Sequence, residues 1–285
     1  MTDIRQTPQY AKYMRALGWK AEKISGVYYF IKKFPIIGHF VKIQRYDAVL
    51  NEHDLKKLSN KYKIFRIVVE PQSINNGLWL MDNKFKQTAA YSPSKTLQLD
   101  LTLTQKKLYQ QLKKDCKYSL RKNIEHRIKC IEENNIEKFH KNWKASVPFS
   151  RYVPSLNNLT SLKKAFEDNC LLLSCSRTQK LNKAGAVFLK SKDIGYYWFA
   201  FTNKESRKNL VQYKILWEGI LWAKKRGAKK FDFEGIYDKR FPNKKWLGFT
   251  HFKKSFGGYE VEFPGAFSKK NFIKNYKLVK NSWRF

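Results

Sequence analysis

The sequence predicts a mixed α/β fold built as two packed domains, and three observations carry that expectation. The chain has 285 residues, more than one ordinary domain requires. Strand-sized apolar runs alternate with helical patterns in both halves, the arrangement that layers helices on sheets. Hydrophobic residues make up 42% and aromatic residues 16%, enough to pack cores throughout and too much for a disordered chain.

The elements follow in order. Thr7, Pro8 and Gly18 predict a helix over 8–18: a hydroxyl cap, a proline where no amide partner is needed, and a glycine stop. Val27–Lys33 and His39–Arg45 read as strands broken by Pro35 and Gly38. Residues 52–62 carry apolar positions at helical spacing, and Ile64–Glu70 and Thr96–Leu101 read as strands, the latter by strict alternation. From Thr104 to Lys129 the stretch is helical and basic, with Leu108, Leu112, Cys116, Leu120, Ile124 and Ile128 recurring every four residues. Steps of four drift by about 40° each on a straight helix, so one helix would wrap its stripe to the far side. A break near Lys114–Asp115 is therefore expected, with Thr104 capping the first piece.

Residues 135–147 and 155–168 read as helices flanking a Pro148–Pro154 loop. Strands are expected at Leu171–Ser176, Gly185–Lys190 and Tyr196–Phe201, then a long helix Glu205–Arg226 ending at Gly227. Lys230–Phe233 reads as a strand, Glu234–Gly248 as a loop, Val261–Phe263 as a strand and Lys269–Val279 as a closing helix. The order strand, strand, strand, helix, strand is compatible with an acetyltransferase-like domain. The domain boundary is expected near Pro148, dividing the chain into 1–148 and 149–285.

Lys and Arg total 58 against 23 Asp and Glu, a net charge of +35. Such a field attracts polyanions, either nucleic acid, phosphorylated substrates or an anionic lipid surface. No secretory signal or roughly 20-residue apolar span is visible, so the expectation is a cytoplasmic protein whose membrane contact would be peripheral, at the inner face. Cys116, Cys130, Cys170 and Cys175 form no CxxC pair, and Cys170 and Cys175 fall on opposite faces of one strand. Reduced, buried thiols are expected, and the five histidines have no zinc spacing, so no metal site is expected.

The informative stretch is FDFEGIYDKRFPNKKWLGFTHFKKSFGGYEVEFPG, Phe231 to Gly265. A strand ends in Asp232 and Gly235, a basic loop follows, and Phe252-Lys253 then precedes Phe256-Gly257-Gly258. Four further blocks keep the same order: Gln6-Thr7-Pro8 with Tyr10 and Gly18-Trp19; Pro93 with Thr96–Leu101; KYSLRK at Lys117–Lys122; and YKILWEGILWA at Tyr213–Ala223. This ordered set resembles the Fem (FemABX) family of aminoacyl-tRNA-dependent peptidyltransferases, and the absence of a long charged helical hairpin makes it similar to the arm-less members.

The resemblance implies two acetyltransferase-like (GNAT-like) domains packed together without a coiled-coil arm. It implies transfer of an amino acid from aminoacyl-tRNA to the stem-peptide amine of a peptidoglycan precursor, a lipid II-like or UDP-MurNAc-peptide acceptor. An aminoacyl ester is already activated, so no cofactor is expected; the reaction needs positioning and stabilisation of the developing oxyanion. Lys253 matches the family's catalytic lysine and Phe252 its aromatic neighbour. Lys12 and Arg15 lie nearest the family's phosphate-binding lysine, with Met14 as competitor. Arg151 and Tyr152 are nearest its Arg–Tyr pair, and Trp198 or Phe199 falls at its peptide-site tyrosine. Trp198 and Tyr213 stand equally as substrate contacts or as core aromatics. Lys117, Arg121, Lys122 and Arg127 are the candidate tRNA contacts, or else a solvated helix face. The protein is expected to be a monomer.

Two other readings compete. An acyl-CoA-dependent N-acyltransferase would use an Arg/Gln-x-x-Gly-x-Gly/Ala turn at a helix start. The near match Arg15-x-x-Gly18-x-Lys20 ends a helix instead and carries the wrong last residue. A non-catalytic RNA- or membrane-binding relative would have no use for the Phe252-Lys253 pair.

Overall fold

The computed structural model describes residues 2–48, 50–176 and 184–270. A 3-10 turn, Ile4–Gln6, opens the chain and is followed by α1 (Pro8–Ala16), in which the Thr7 hydroxyl accepts from the Tyr10 amide. Then come β1 (Lys20–Ile24), β2 (Val27–Phe34), β3 (Gly38–Tyr46), α2 (Glu52–Lys61), β4 (Ile64–Pro71), α3 (Ile74–Asp82) and β5 (Lys86–Thr88). β6 (Lys95–Asp100), α4 (Gln105–Gln110), α5 (Lys114–Glu125), β7 (Lys129–Glu132), α6 (Ile136–Ser146) and α7 (Leu156–Phe166) continue. β8 (Cys170–Ser176), β9 (Ala184–Ser191), β10 (Ile194–Thr202), α8 (Lys204–Lys208), α9 (Val211–Lys225) and β11 (Lys230–Asp232) lead to α10 (Leu247–Lys254), β12 (Tyr259–Glu262) and β13 (Ala266–Lys270).

The strands form two sheets, in the orders β1-β2-β3-β4-β13-β5 and β12-β6-β11-β10-β9-β8-β7. Each described sheet contains one parallel pair, β3 with β4 and β10 with β11, among otherwise antiparallel neighbours. The expected boundary at Pro148 does not coincide with the division of the strands. The second sheet takes β6 and β7 from before it, and the last described strand, β13, returns to the first sheet. Sheet membership is decided by backbone pairing between distant segments, which local pattern does not encode.

Three apolar clusters position these layers. Leu108 of α4, Leu112 of the break, and Cys116 and Leu120 of α5 pack with Leu216 and Ile220 of α9 against Leu99, Phe188 and Phe231. On the other face of the second sheet, Tyr10 and Met14 of α1 join Phe139, Leu159 and Phe166 over Leu172, Val187 and Tyr196. α1 is thus held between α7 and β1 and β2 of the first sheet, with Tyr10 touching both Phe30 of β2 and Trp198 of β10. Leu55 and Leu58 of α2 cover Val41, Ile43, Ile67 and Val69 of the first.

Several expectations are corrected. The helix expected over 205–226 is two, because Leu210 takes a left-handed conformation (φ 56°) between α8 and α9. Asn123 of α5 donates to the Asn209 and Leu210 carbonyls at 3.2 Å each, satisfying the acceptors the break frees. The break expected near Lys114 is present, but α5 stops at Glu125; Arg127 lies beyond it, and Lys129 begins a strand. Lys269 and Lys270 belong to β13, paired to β4, rather than to a closing helix, whose remaining residues lie outside those described. The four-thiol expectation is corrected at one pair: Cys130 and Cys175 are disulfide-bonded, being directly opposite in the β7–β8 register with Cα atoms 4.1 Å apart. Cys116 and Cys170 are free and buried. Among the described residues no helix is long and apolar enough to cross a membrane.

A buried lysine in a cleft between parallel strands

β10 and β11 pair only over Ile194–Lys230, Gly195–Phe231 and Tyr196–Asp232, after which β11 ends while β10 runs on to Thr202. Two parallel strands that part in this way open a cleft at their carboxyl ends. In β10 the register against β9 skips between Tyr197 and Phe199, so Trp198 is a bulged residue, a device that re-aims side chains beside a cleft.

α10 delivers Lys253 to this cleft. Sequence pattern does not declare this helix, because Gly248, Thr250 and His251 dilute its periodicity. Thr250 braces it: its hydroxyl donates to the Trp246 carbonyl at 2.7 Å and accepts from the Tyr237 amide at 2.7 Å. Lys253 is 9% exposed. Its Nζ donates to the carbonyls of Phe233 and Gly235, both at 2.6 Å, and lies 5.7 and 5.1 Å from the rings of Tyr197 and Phe249. An ammonium has three N–H donors, so two are committed and one is left. Burial lowers its pKa to about 8, opposed by the negative charges of Glu234 and Asp232.

The segment Phe233–Gly235 that receives this ammonium is itself tied down. Glu234 has φ 64°, a left-handed conformation that costs a non-glycine residue on the order of 1 kcal/mol or more. Its amide donates to Asp232 Oδ1 at 2.7 Å, and Asp232 in turn accepts from Thr96 at 2.6 Å and Gln98 at 2.8 Å. Burial, with Glu234 nearby, raises the Asp232 pKa to about 6. Glu234 Oε2 accepts from Arg5 Nη2 at 2.6 Å, and Arg5 also pairs with Asp3 at 3.2 Å and lies 4.9 Å over the Trp198 ring. At Gly235 a Cβ would lie 2.8 Å from Pro93 and 2.9 Å from Trp246, so the motif glycine is required for close approach.

The other expected site residues divide. Phe252 packs edge-on to Tyr213 at 5.0 Å and near Phe256 at 5.6 Å. Tyr213, stacked on Phe256, is a core aromatic backing Phe252. Trp198 and Tyr152 do come together, through Phe199, at 6.0 and 6.5 Å. Arg151 is an exposed residue of the same loop as Tyr152. Lys12 is exposed and pairs with Glu167 at 3.3 Å, and Arg15 donates to the Ala21 carbonyl at 3.0 Å; both lie on the exposed face of α1. Met14 is buried in the core. On α5, Lys117 donates to the Gln110 carbonyl, Lys122 pairs with Glu125 at 2.7 Å and Arg121 is exposed, as is Arg127 just beyond the helix.

Arg5, Glu234 and Tyr197 were not legible as site residues. Arg5 and Glu234 sit inside or beside the motif blocks, but a pairing across 229 positions leaves no local signal.

The two packed sheets with their covering helices form a two-domain, acetyltransferase-like fold. The sequence matches the FemAB family over residues 133–281, just over half of its length. The chain belongs to the FemAB family, the group that builds peptidoglycan cross-bridges. It superposes on the crystal structure of FemX with a TM-score of 0.77 at 14% identity, covering 94% of this chain and 92% of that one. The C-terminal domain of a putative lysylphosphatidylglycerol synthetase from Agrobacterium fabrum gives a TM-score of 0.58 at 14% identity, covering 94% and 89%. A tandem GNAT protein from the clavulanic acid biosynthesis pathway gives 0.51 at 7% identity, covering 86% and 82%. At such identities these likenesses speak to the fold. No curated protein matches the chain by sequence.

Proposed function

We propose that the protein transfers an aminoacyl group from aminoacyl-tRNA to the stem-peptide amine of a peptidoglycan precursor, with Lys253 stabilising the oxyanion. The observation that carries this reading is the third, uncommitted N–H of a buried ammonium whose other two donors are fixed by carbonyls. The acceptor amine attacks the ester carbonyl, and the oxygen that gains charge is met by Lys253. Collapse breaks the ester bond and expels the ribose oxygen of the tRNA, which takes up the proton that the attacking amine sheds. A fixed cation in a dry site stabilises such charge far more than water does. Phe252, on the same helix, packs on Tyr213 and Phe256 and so seats the helix that carries Lys253.

α5 is the proposed tRNA contact. Its start abuts α10: the Lys113 amide donates to the Ser255 carbonyl at 2.9 Å, and His251 Nε2 lies 3.4 Å from Asp115. A phosphate backbone tracked along α5 would therefore reach the helix that carries Lys253. The precursor's phosphates are assigned to Lys12 and Arg15, exposed on α1, and its peptide to the Tyr152, Phe199 and Trp198 row, with Arg151 at the rim.

The test is incubation with charged tRNAs and a lipid- or nucleotide-linked muropeptide, read by mass spectrometry for the added residue. Transfer from acetyl-CoA but not from tRNA would overturn the donor assignment. Reversing both exposed arginines (Arg121→Glu with Arg127→Glu) is expected to weaken tRNA binding and to lower its log–log salt slope by about one for each phosphate no longer neutralised. An unchanged slope removes α5 from the interface.

The pH profile has a definite sign. A cationic Lys253 works when protonated, so activity is present below its pKa and falls away as pH rises through about 8. Lys253→Arg is expected to remove that basic limb. Activity that instead rises through pH 8 would make the lysine a base.

A further inference from the structure

The turn Ile4–Gln6 touches both sheets at once. The Ile4 amide donates to the Tyr196 hydroxyl of β10 at 3.0 Å. Gln6 accepts from the Tyr28 amide of β2 at 2.8 Å and donates to the Gln44 carbonyl of β3 at 2.7 Å. Between these anchors, Arg5 reaches Glu234, and its own side chain is 7% exposed against 17% for its partner. Glu234 is the residue whose flanking carbonyls hold Lys253.

We propose that Arg5 and Glu234 are positioning residues for Lys253: the N-terminal turn clasps Glu234 in its left-handed conformation and so aims the Phe233 and Gly235 carbonyls at the ammonium. The proposal deepens the reading of Lys253 given above and rests on it for its catalytic consequence. Three features require such a clasp. The conformation of Glu234 is unfavourable for an L side chain and persists only where its surroundings over-determine it. The carbonyls of 233 and 235 converge on one nitrogen only while residue 234 is so twisted. Arg5 is buried and Glu234 largely shielded, which limits averaging of the pair's geometry by water. Asp3 and Trp198 hold the guanidinium from the other side. The charged groups acting on the lysine are Glu234 and Asp232, and those acting around Arg5 also include Asp3 and Arg45. The clasp makes the first sheet a determinant of the lysine that α10 places beside the second.

The test uses the full chain with lysine labelled at 13Cε, the Lys253 resonance being assigned by its disappearance in Lys253→Met. Glu234→Gln keeps size and a hydrogen-bonding group while removing the charge. Its Lys253 midpoint is expected to fall by roughly half a pH unit or more. Its kcat is expected to fall roughly tenfold or more with KM little changed. Arg5→Lys, which keeps the charge but not the fork, is expected to recover part of the kcat that Arg5→Met forfeits. Glu262→Gln, removing an ion-paired carboxylate on β12, leaves the midpoint in place. Circular dichroism melts establish that each variant is folded. Wild-type midpoint and kcat in a folded Glu234→Gln protein would overturn the proposal while leaving the role of Lys253 intact. Full turnover by Lys253→Ala would remove that role, and the titration would still report whether Glu234 governs the ammonium.

Discussion

Lys253→Ala is expected to lower the transfer rate by about 10²–10³-fold while leaving a cooperative, native-like unfolding transition. The rate effect follows from geometry. Two of the lysine's donors are spent on Phe233 and Gly235, so the third is directed rather than free to sample solvent. A surface lysine would offer the oxyanion a screened and mobile charge; this one is 9% exposed between the Tyr197 and Phe249 rings. The effect on stability is a balance. The variant leaves two carbonyls without their partner, at a cost of about 1–3 kcal/mol each if no water replaces it. It also relieves the burial of a charge, which the depressed pKa of about 8 registers. These terms oppose, which is why the fold is expected to survive. Product mass spectrometry under single-turnover conditions separates the chemical step from binding of the aminoacyl donor. A fully active variant would remove Lys253 from the mechanism.

The second large effect is on folding. Gly258→Ala is expected to destabilise the protein by about 3 kcal/mol or more, combining left-handed strain with overpacking. Gly258 has φ 91°, and an added Cβ would press into the Gln98 carbonyl oxygen, a backbone atom that cannot swing aside. Gln98 belongs to β6 and also holds Asp232, so the displacement would reach the Glu234 turn as well. Gly227 supplies the control. It has φ 79° but nothing within 4 Å of a built Cβ, so Gly227→Ala is expected to cost only the conformational part, about 1 kcal/mol. Denaturant titrations of the two variants measure the difference. Equal destabilisation would mean that the close approach to Gln98 is not what makes the second glycine of the motif necessary.

Legibility differed by kind of interaction. Strong local patterns translated directly: the Thr7–Pro8 cap, the alternation of Thr96–Leu101 and the drift of the four-residue stripe each located an element or a break. Short or diluted segments did not. β1, β5 and β7 are brief or polar strands ordered by their neighbours, and α10 carries too little periodicity to declare itself. Phe252 and Lys253 were recognisable as a pair, but the helix that turns one toward Tyr213 and the other into the cleft was not.

The amino-acid sequence by itself determined the α/β character of two packed domains, the family, the strongly basic charge balance and the one lysine worth testing. Each of these is written in composition, in periodicity or in contiguous motif. Tertiary structure alone decided how the strands sort between the sheets, that Cys130 faces Cys175, and that Arg5 meets Glu234 across 229 positions. The reason is physical: hydrogen-bond pairing, cross-strand register and buried ion pairs depend on which distant segments are brought together. The sequence names the groups, and only the packed chain sets the distance between them.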